Sequence, residues 1–395
     1  MTTTQHDWPM VKLGDVLQEF TTRPTPEQQA GTILTLTEKN GFMRQEDRFS
    51  KRLALENTSK YKVIRRGEFA LNPYLLWAGA IALNTRFEEG IISPLYPTFR
   101  VSPTANAGYL NHLFKTEAMI SRFDQIAFGS VPRKRRTRVS DFLSLQVPLP
   151  PLEEQHRIAG ILDHVGTIIG AQRGLIEAME ELSQTTLNAL LSHESRMTVE
   201  LAEIADIQSG ITKGRKVPAG QSTESVPYLA VSNVKDGFLH LEQVSKIDAT
   251  NNEIAKYLLR AGDLVLTEGG DPDKLGRGTV WNEELPRCIH QNHIFRVRIR
   301  PESSEITPEV LAAALRTPNL KQYFLKSAKQ TTGIASINKT QLSQAPIPLL
   351  NSDEVGSIAE TIVALQAELA LERKRLDSLI GLHKVLSIRA FQGEL

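Results

Sequence analysis

Two stretches of the chain place hydrophobic residues at alternating spacings of three and four, the pattern of a helix that packs along its length against a partner. In the first, one line of positions seven apart holds Ile158, Val165, Gln172, Met179 and Thr186, and a second line holds Ile161, Ile168, Leu175, Leu182 and Ala189. In the second, the lines hold Val355, Ile362, Leu369, Leu376 and His383, and Ile358, Leu365, Glu372, Leu379 and Leu386. Such a repeat over about five heptads predicts a coiled-coil pair of long helices, over roughly residues 152–192 and 352–390.

The residues at the start of each stretch are typical of helix N-termini. Pro151 suits the first turn of the first long helix. Glu153 lies in the same turn, where the helix dipole favours a negative charge. Asn351 and Glu354 have the spacing of a capping box. Both helices are therefore predicted to begin directly after a proline-containing junction.

The segments before the helices have mixed patterns. Short β-rich runs such as residues 289–299 alternate with turn clusters such as residues 269–273, and residues 307–329 are predicted to be helical. These patterns favour α+β domains of about 150 residues, a common domain size.

Four short segments recur in the same order with a slowly drifting offset. They are residues 12–16 and 200–204, 66–71 and 261–266, 99–101 and 295–297, and 147–150 and 345–348. The alternative to a duplication is coincidence among short motifs, and the alternative to a helix pair is that each helix packs on its own domain.

The repeat predicts a tandem duplication with domains at 1–151 and 198–348, followed by helices within 152–197 and 349–395. Antiparallel helices would let the two units form one seam symmetrically, with similar domains at opposite ends.

Composition narrows the class of protein. Hydrophobic residues make up 41 % of the chain and charged residues 23 %, a globular balance. No apolar run reaches the length of a membrane span and the N-terminus lacks a signal-peptide pattern, so we expect no membrane association. Cys288 is the only cysteine, which excludes an internal disulfide and a multi-cysteine zinc site and suits a cytoplasmic protein.

Charge is unevenly distributed behind a net value of +1. Residues 1–151 carry 20 Lys and Arg against 14 Asp and Glu, whereas residues 152–197 carry 3 against 7. A surface that binds an acidic polymer is therefore compatible with the near-neutral total.

Residues 147–159, which read VPLPPLEEQHRIA, resemble the junction of type I restriction-modification specificity subunits, where a target recognition domain runs into a long helix. The segments 67–69 and 93–96 resemble strands of the first recognition domain. Those at 262–266, 276–278 and 291–297 resemble the second. The second junction departs from the pattern, because it has Leu349-Leu350-Asn351 and lacks the Glu-Glu-Gln run.

The resemblance implies a non-catalytic subunit in which each recognition domain reads one half of a split site in double-stranded DNA. The helices would set the distance between the halves and dock two methyltransferase subunits, and restriction (translocase) subunits would join the complex. No cofactor, metal or catalytic residue is expected in this chain.

Candidate DNA contacts follow from side-chain chemistry. Arg pairs with guanine and Asn or Gln with adenine in the major groove, so Arg277, Gln291 and Asn292 are candidates for base reading. The candidates for phosphate contact are the basic run before the first junction and Lys213, Arg215, Lys216, Lys329 and Lys339. The complete set is Arg133, Lys134, Arg135, Arg136, Arg138, Lys213, Arg215, Lys216, Arg277, Gln291, Asn292, Lys329, Asn338 and Lys339. A solvated loop for the basic run, and a structural role for Gln291 and Asn292, remain open.

Other functions are also conceivable. Asn72-Pro73-Tyr74 resembles part of an adenine methyltransferase motif but lacks its second proline, and a turn is the preferred interpretation. The rival hypotheses are a single-chain nuclease or methyltransferase, the specificity subunit of a related methyltransferase-nuclease system, and a stand-alone DNA-binding protein.

Overall fold

The computed structural model divides the chain into two compact units, the first formed by Met1–Gly174 and Lys374–Leu395 and the second by Leu175–Arg373. Each unit contains one α+β body and one half of each long helix. The structure describes residues 8–38, 40–48, 58–129, 135–192, 196–217, 220–270, 275–303, 305–331 and 334–395.

The first unit is built around a four-stranded antiparallel sheet. Its strands are β1 (Met10–Lys12), β2 (Leu17–Phe20), β3 (Leu34–Thr37), β4 (Gly41–Arg44), β5 (Lys62–Arg65), β6 (Phe69–Leu71), β7 (Ile81–Leu83), β8 (Glu89–Ile92), β9 (Thr98–Val101) and β10 (Gln146–Pro148). The main sheet has the order β2-β9-β6-β7, and β1 pairs with β10. Its short helices are α1 (Leu13–Val16), α2 (Gln45–Arg48), α3 (Ala107–Phe114), α4 (Glu117–Gln125) and α5 (Val139–Leu143).

The second unit repeats this plan. Its strands are β11 (Thr198–Glu200), β12 (Ala205–Ser209), β13 (Thr223–Leu229), β14 (Ser245–Thr250), β15 (Asp263–Thr267), β16 (Gly269–Gly270), β17 (Gly278–Trp281), β18 (Ile289–His290), β19 (Ile294–Ile299), β20 (Lys329–Thr331), β21 (Ile334–Ser336) and β22 (Pro346–Pro348). The main sheet has the order β12-β19-β15-β17, and β11 pairs with β22. Its helices are α7 (Leu201–Ile204), α8 (Asn251–Tyr257), α9 (Pro308–Leu315), α10 (Pro318–Ser327) and α11 (Lys339–Ser343).

The four repeated segments occupy equivalent elements in the two units. They form α1 and α7, β6 and β15, β9 and β19, and β10 and β22. In β15, Leu264 and Leu266 face one core and Val265 faces another, and Phe69, Leu71 and Ala70 alternate in the same way in β6. Alternation with period two places both sheets between two apolar layers. The duplication inferred from the sequence is therefore present in the structure.

The predicted helix over 307–329 is two helices. Pro318 begins α10, and Arg316 and Thr317 separate it from α9. A proline in a helix interior would remove a hydrogen bond and clash with the preceding turn, so the chain starts a new helix there.

The two long helices are α6 (Leu152–Leu191) and α12 (Ser352–Gln392), close to the predicted bounds. The capping box at the start of α12 is confirmed, because Asn351 and Glu354 exchange hydrogen bonds of 2.9 and 3.0 Å. Among the helices of the described residues, none is long and apolar enough to cross a membrane.

The helices pack together in antiparallel orientation, as predicted. In the first unit, near the start of α6, Arg157 donates from Nη2 to the carbonyl oxygen of Leu395 at 3.1 Å. In the second unit, Arg373 near the middle of α12 forms an ion pair of 2.6 Å with Glu180 of α6. The end of α6 and the start of α12 share an apolar cluster containing Leu187, Leu191, Val355, Ile358 and Ile362.

One of the four predicted seam lines is wrong. In α6 the line through Ile158 and Val165 is buried or half-buried. On the second predicted line, Ile168, Leu175 and Leu182 are 39 %, 47 % and 62 % exposed. The second line of buried or half-buried positions holds Gln155, Leu162, Ile169, Ile176, Ser183 and Leu190. Both lines are apolar at the relevant spacing, so the choice between them depended on which side of α6 meets its partner. In α12 both predicted lines are buried or half-buried.

Candidate nucleic-acid interface

Several loops meet at the end of strand β15 in the second unit. The backbone nitrogen of Thr267 donates to the carbonyl oxygen of Arg277 at 2.9 Å, and that of Glu268 donates to the carbonyl oxygen of His293 at 3.0 Å. The backbone nitrogen of Ile337 then donates to the carbonyl oxygen of Glu268 at 2.9 Å. These bonds bring Arg277 to the same end of the sheet as the turn formed by residues 291–293.

We call Glu268, Arg277, Gln291, Asn292 and His293 the loop cluster. His293 Nδ1 lies 2.6 Å from Glu268 Oε2, and Asn292 Nδ2 lies 3.3 Å from His293 Nε2. Gln291 Oε1 accepts a bond of 3.3 Å from the backbone nitrogen of Val231, so its side chain has a structural contact. Arg277 is half-buried, and its Nε forms no hydrogen bond with the described residues.

A close backbone contact holds the turn of the loop cluster in place. A Cβ atom on Gly210 would lie 1.9 Å from the carbonyl oxygen of His290, so only glycine fits there. The backbone nitrogen of Asn292 donates to the carbonyl oxygen of Ile211 at 3.0 Å. The fully buried His290 lies beneath this turn, where burial lowers the pKa of its imidazole to about 4.

The basic residues after Ile211 have different environments. Lys213 and Lys216 are exposed. The Arg215 guanidinium makes two bonds to the Glu253 carboxylate, of 2.5 and 2.7 Å, and donates to the carbonyl oxygen of Asp248 at 2.9 Å. The bonds from Arg215 lower the pKa of Glu253 to about 2. Arg215 therefore has an internal partner, whereas the two lysines present their charge to solvent.

Three further candidates lie on the hairpin and helix that follow. Lys329 is exposed on β20, and Lys339 is exposed at the start of α11. Asn338 caps α11, because its Oδ1 accepts a bond of 2.9 Å from the backbone nitrogen of Gln341. The capping bond gives Asn338 a structural role of its own.

The described part of the basic run, residues 135–138, contains an antiparallel bridge to Phe128. The backbones of Phe128 and Arg136 exchange two hydrogen bonds of 3.0 Å. The Arg136 and Arg138 guanidinium carbons lie 5.4 and 4.9 Å from the centre of the Phe128 ring, and both arginines are exposed. Arg133 and Lys134 lie outside the described residues. We call Phe128, Arg136 and Arg138 the basic hairpin.

Arg135 differs from its neighbours. Its guanidinium forms an ion pair of 2.7 Å with Asp124 and lies 5.3 Å from the centre of the Trp77 ring. Its side chain is 24 % exposed. Arg135 thus packs against its own unit, and the exposed positive charge of the described run comes from Arg136 and Arg138.

The basic hairpin and the β20–β21 hairpin occupy equivalent places in the two units. The backbone nitrogen of Thr137 donates to the carbonyl oxygen of Pro73 at 2.8 Å, just after β6, as that of Ile337 donates to Glu268 after β15. The short helices α5 and α11 follow directly. Many of the candidates chosen from scattered sequence segments therefore lie near the same end of the repeated sheet.

The Asn72-Pro73-Tyr74 segment forms a turn, as preferred from the sequence. Asn72 is buried, and its Oδ1 accepts a bond of 3.0 Å from the backbone nitrogen of Tyr74. Within the described residues, no group of His, Cys, Asp and Glu side chains is arranged to hold a metal ion.

Sequence reasoning missed Glu268 and His293. They are 25 residues apart, and the bond between them follows from the pairing of β15 with β19. Glu268 directly follows a buried strand, which is the signal that could have marked it as a residue at the sheet end.

Comparison with known sequences identifies relatives. A family model for the type I restriction modification DNA specificity domain matches residues 99–181. The specificity subunit of the type I restriction enzyme EcoKI from Escherichia coli is 19 % identical over 309 residues, covering 73 % of this chain and 66 % of the relative. That of MjaVIII from Methanocaldococcus jannaschii is 26 % identical over 268 residues, covering 60 % and 59 %. A putative MjaX specificity subunit from the same archaeon is 25 % identical over 164 residues, covering 41 % of this chain. The chain spans 38 % to 66 % of the length of these three relatives.

Solved structures share the fold. The S subunit of a type I restriction-modification system from M. genitalium superposes with a TM-score of 0.55 at 14 % identity, covering 99 % of this chain and 98 % of that one. A chain from a structural study of assembly and conformational transition in a type I R-M system gives 0.59 at 18 % identity, with 98 % of both chains covered. In its matched domain, in these relatives and in its fold, the chain is similar to type I restriction-modification specificity subunits.

Proposed function

We propose that the chain is the non-catalytic, sequence-reading subunit of a type I restriction-modification complex that acts on double-stranded DNA in the cytoplasm. Each α+β body reads one half of a split site, and the bodies correspond to residues 1–151 and 198–348. The two helical segments, 152–197 and 349–395, set the distance between the half-sites.

The observation that carries this proposal is the repetition of a polar or basic loop surface at the same end of the same sheet. The basic hairpin supplies exposed cations in the first unit, and the loop cluster supplies side-chain donors and acceptors in the second. Guanidinium and ammonium groups contact phosphates, while Arg, Asn and Gln recognise base edges. A protein with two such surfaces can read two separate short sequences.

The long helices carry the proposed docking of two methyltransferase subunits, with restriction (translocase) subunits joining the same complex. Apolar side chains remain exposed along both helices, at Leu175, Leu182, Val363, Val385 and Ile388. Exposed apolar residues of this size on a helix face suit a protein partner more than water. Methyl transfer and cleavage are assigned to the partners, since the sequence has no cofactor loop or complete methyltransferase motif.

Single-molecule methylome sequencing of cells that carry this chain with its own operon tests the proposal. The expected result is methylated adenines within one bipartite motif, lost when this chain alone is deleted. A continuous motif, or methylation that persists without the chain, would contradict it.

The isolated chain offers a second test, with labelled S-adenosylmethionine and DNA of the identified motif. We expect no methyl transfer by the chain alone and transfer once the methyltransferase subunits are added. Transfer by the chain alone would favour the single-chain enzyme, and full-affinity, motif-specific binding without partners would favour a stand-alone DNA-binding protein.

A further inference from the structure

Three side chains of the second unit form a hydrogen-bonded chain that ends at a candidate base-reading residue. Glu268 Oε2 lies 2.6 Å from His293 Nδ1, and His293 Nε2 lies 3.3 Å from Asn292 Nδ2. His293 is 56 % exposed and Glu268 is 32 % exposed at their side chains. The chain therefore lies at the surface of the loop cluster.

The chemistry of these groups fixes the direction of each bond. An amide nitrogen only donates, so Asn292 Nδ2 requires an acceptor at His293 Nε2. The imidazole must then carry its proton on Nδ1, where the Glu268 carboxylate accepts it. Glu268 thereby selects one tautomer of His293, and that tautomer selects one orientation of the Asn292 amide.

Backbone hydrogen bonds hold Glu268, His293 and Asn292 in place. Glu268 donates from its backbone nitrogen to His293 and accepts from Ile337, and the backbone nitrogen of Asn292 donates to Ile211. Three of the loops that converge at the sheet end thus supply or support the three side chains. The amide of Asn292 forms no other side-chain hydrogen bond with the described residues that would fix its orientation.

We propose that Glu268 and His293 are positioning residues that set the orientation of the Asn292 amide for base reading. This inference rests on the proposed DNA-reading function. One N–H of the amide binds His293, and its second N–H and its oxygen stay available as a donor and acceptor pair. That pair matches the adenine edge, which offers N7 as acceptor and N6 as donor, whereas guanine offers two acceptors.

The test uses the full chain assembled with the methyltransferase subunits of its operon, and a panel of DNA duplexes substituted at every position of the methylome motif. His293→Ala and Glu268→Ala are expected to reduce discrimination at one position of one half-site by about five- to tenfold, the worth of about one neutral hydrogen bond. Glu268→Gln keeps an oxygen that can accept from Nδ1 and is expected to restore most of the discrimination. Preferences in the other half-site should not change, which controls for folding.

A double-mutant cycle separates positioning from direct contact. Asn292→Ala should abolish discrimination at that position, and adding His293→Ala should then have no further effect. If His293→Ala reduces discrimination by the same factor in the Asn292→Ala variant as in the unmodified protein, His293 reads the base itself and the inference is overturned. A uniform loss of affinity for all duplexes would also overturn it. Absence of any sequence preference in the unmodified complex would instead refute the proposed function.

Discussion

Neighbouring residues of one charge have separate roles at the residue scale. Arg215 bonds to Glu253 and to the Asp248 carbonyl, whereas the adjacent Lys216 is exposed. Arg135 pairs with Asp124, whereas Arg136 is exposed beside Phe128. All four residues are candidate DNA contacts by residue type and position in the chain. The internal ion pairs separate the two that have partners within the protein from the two that are exposed.

Arg215→Ala is expected to lower the free energy of unfolding by about 1–3 kcal/mol at neutral pH, because it leaves a partly buried carboxylate without its cation. Arg215 holds the pKa of Glu253 at about 2 in the folded state, below the unfolded value near 4.5. Because the carboxyl has a lower pKa in the folded state, it stabilises the fold at pH values above its unfolded-state pKa. That contribution is lost as the pH falls towards 2. Denaturation of the variant and of the unmodified chain measures their free energies of unfolding. The difference between the two free energies should become smaller as the pH is lowered from 7 to 3. Lys216→Ala is the matched control and should unfold like the unmodified chain; an equal loss in both variants would contradict this role.

Arg277→Ala should relax one base position in one half-site, at about 1–3 kcal/mol for a lost bidentate pair. Arg136→Ala should instead weaken binding to all duplexes and flatten its salt dependence, because a phosphate contact releases counterions without reading bases. Titrations over the substitution panel at two salt concentrations distinguish these effects. An equal loss on every duplex would move Arg277 to the phosphate-contacting group. An effect on the half-site read by residues 1–151 would contradict the assignment of one domain to one half-site.

At the element scale, α6 has three lines of apolar residues, and side-chain burial shows which of them form its packing face. Leu175 and Ile176 are adjacent and similar in volume, but Leu175 is 47 % exposed and Ile176 is 7 % exposed. Both spacings satisfied the heptad pattern. The line that is buried is the one that contains Ile176.

Ile176→Ala is expected to destabilise the second unit by about 2–4 kcal/mol, through lost apolar burial and the cavity left behind. Leu175→Ala should change stability by less than about 0.5 kcal/mol, as exposed substitutions usually do. Thermal or chemical denaturation of the two variants measures the contrast. Similar costs at both positions would contradict the burial of Ile176 alone, and a larger cost at Leu175 would mean that α6 packs on the predicted line that holds Leu175.

At the scale of the whole molecule, each of the two long helices is continuous, over Leu152–Leu191 and Ser352–Gln392. At 1.5 Å per residue, a helix the length of α6, with its 40 residues, extends about 60 Å. Each unit contains a half of both helices, so equal shortening of the two preserves the seam pattern.

Removing one heptad from each helix, residues 172–178 and 369–375, should keep the fold and shorten the spacer of the recognised site. The shift is about 10 Å, or about three base pairs at 3.4 Å rise. Methylome sequencing of cells that carry the deleted form reads the spacer directly, and both half-sites should stay the same. An unchanged spacer would show that the helices do not set the distance.

The sequence by itself determined the elements whose signals are local. The heptad lines, the prolines before α6 and the Asn351–Glu354 capping box gave both long helices, and the repeated segments at β6 and β15 gave the duplication. These signals depend on residues a few positions apart, and backbone geometry converts them directly into structure.

Only the tertiary structure decided matters that depend on distant residues. Arg215 forms an ion pair with Glu253, and Ile176 of α6 is buried where Leu175 is exposed. Glu268 and His293 form a hydrogen bond because their strands pair. Each outcome follows from which segments the fold brings within hydrogen-bonding or packing distance. Local periodicity constrains the faces an element can offer, but contacts between remote segments select the face and the partner.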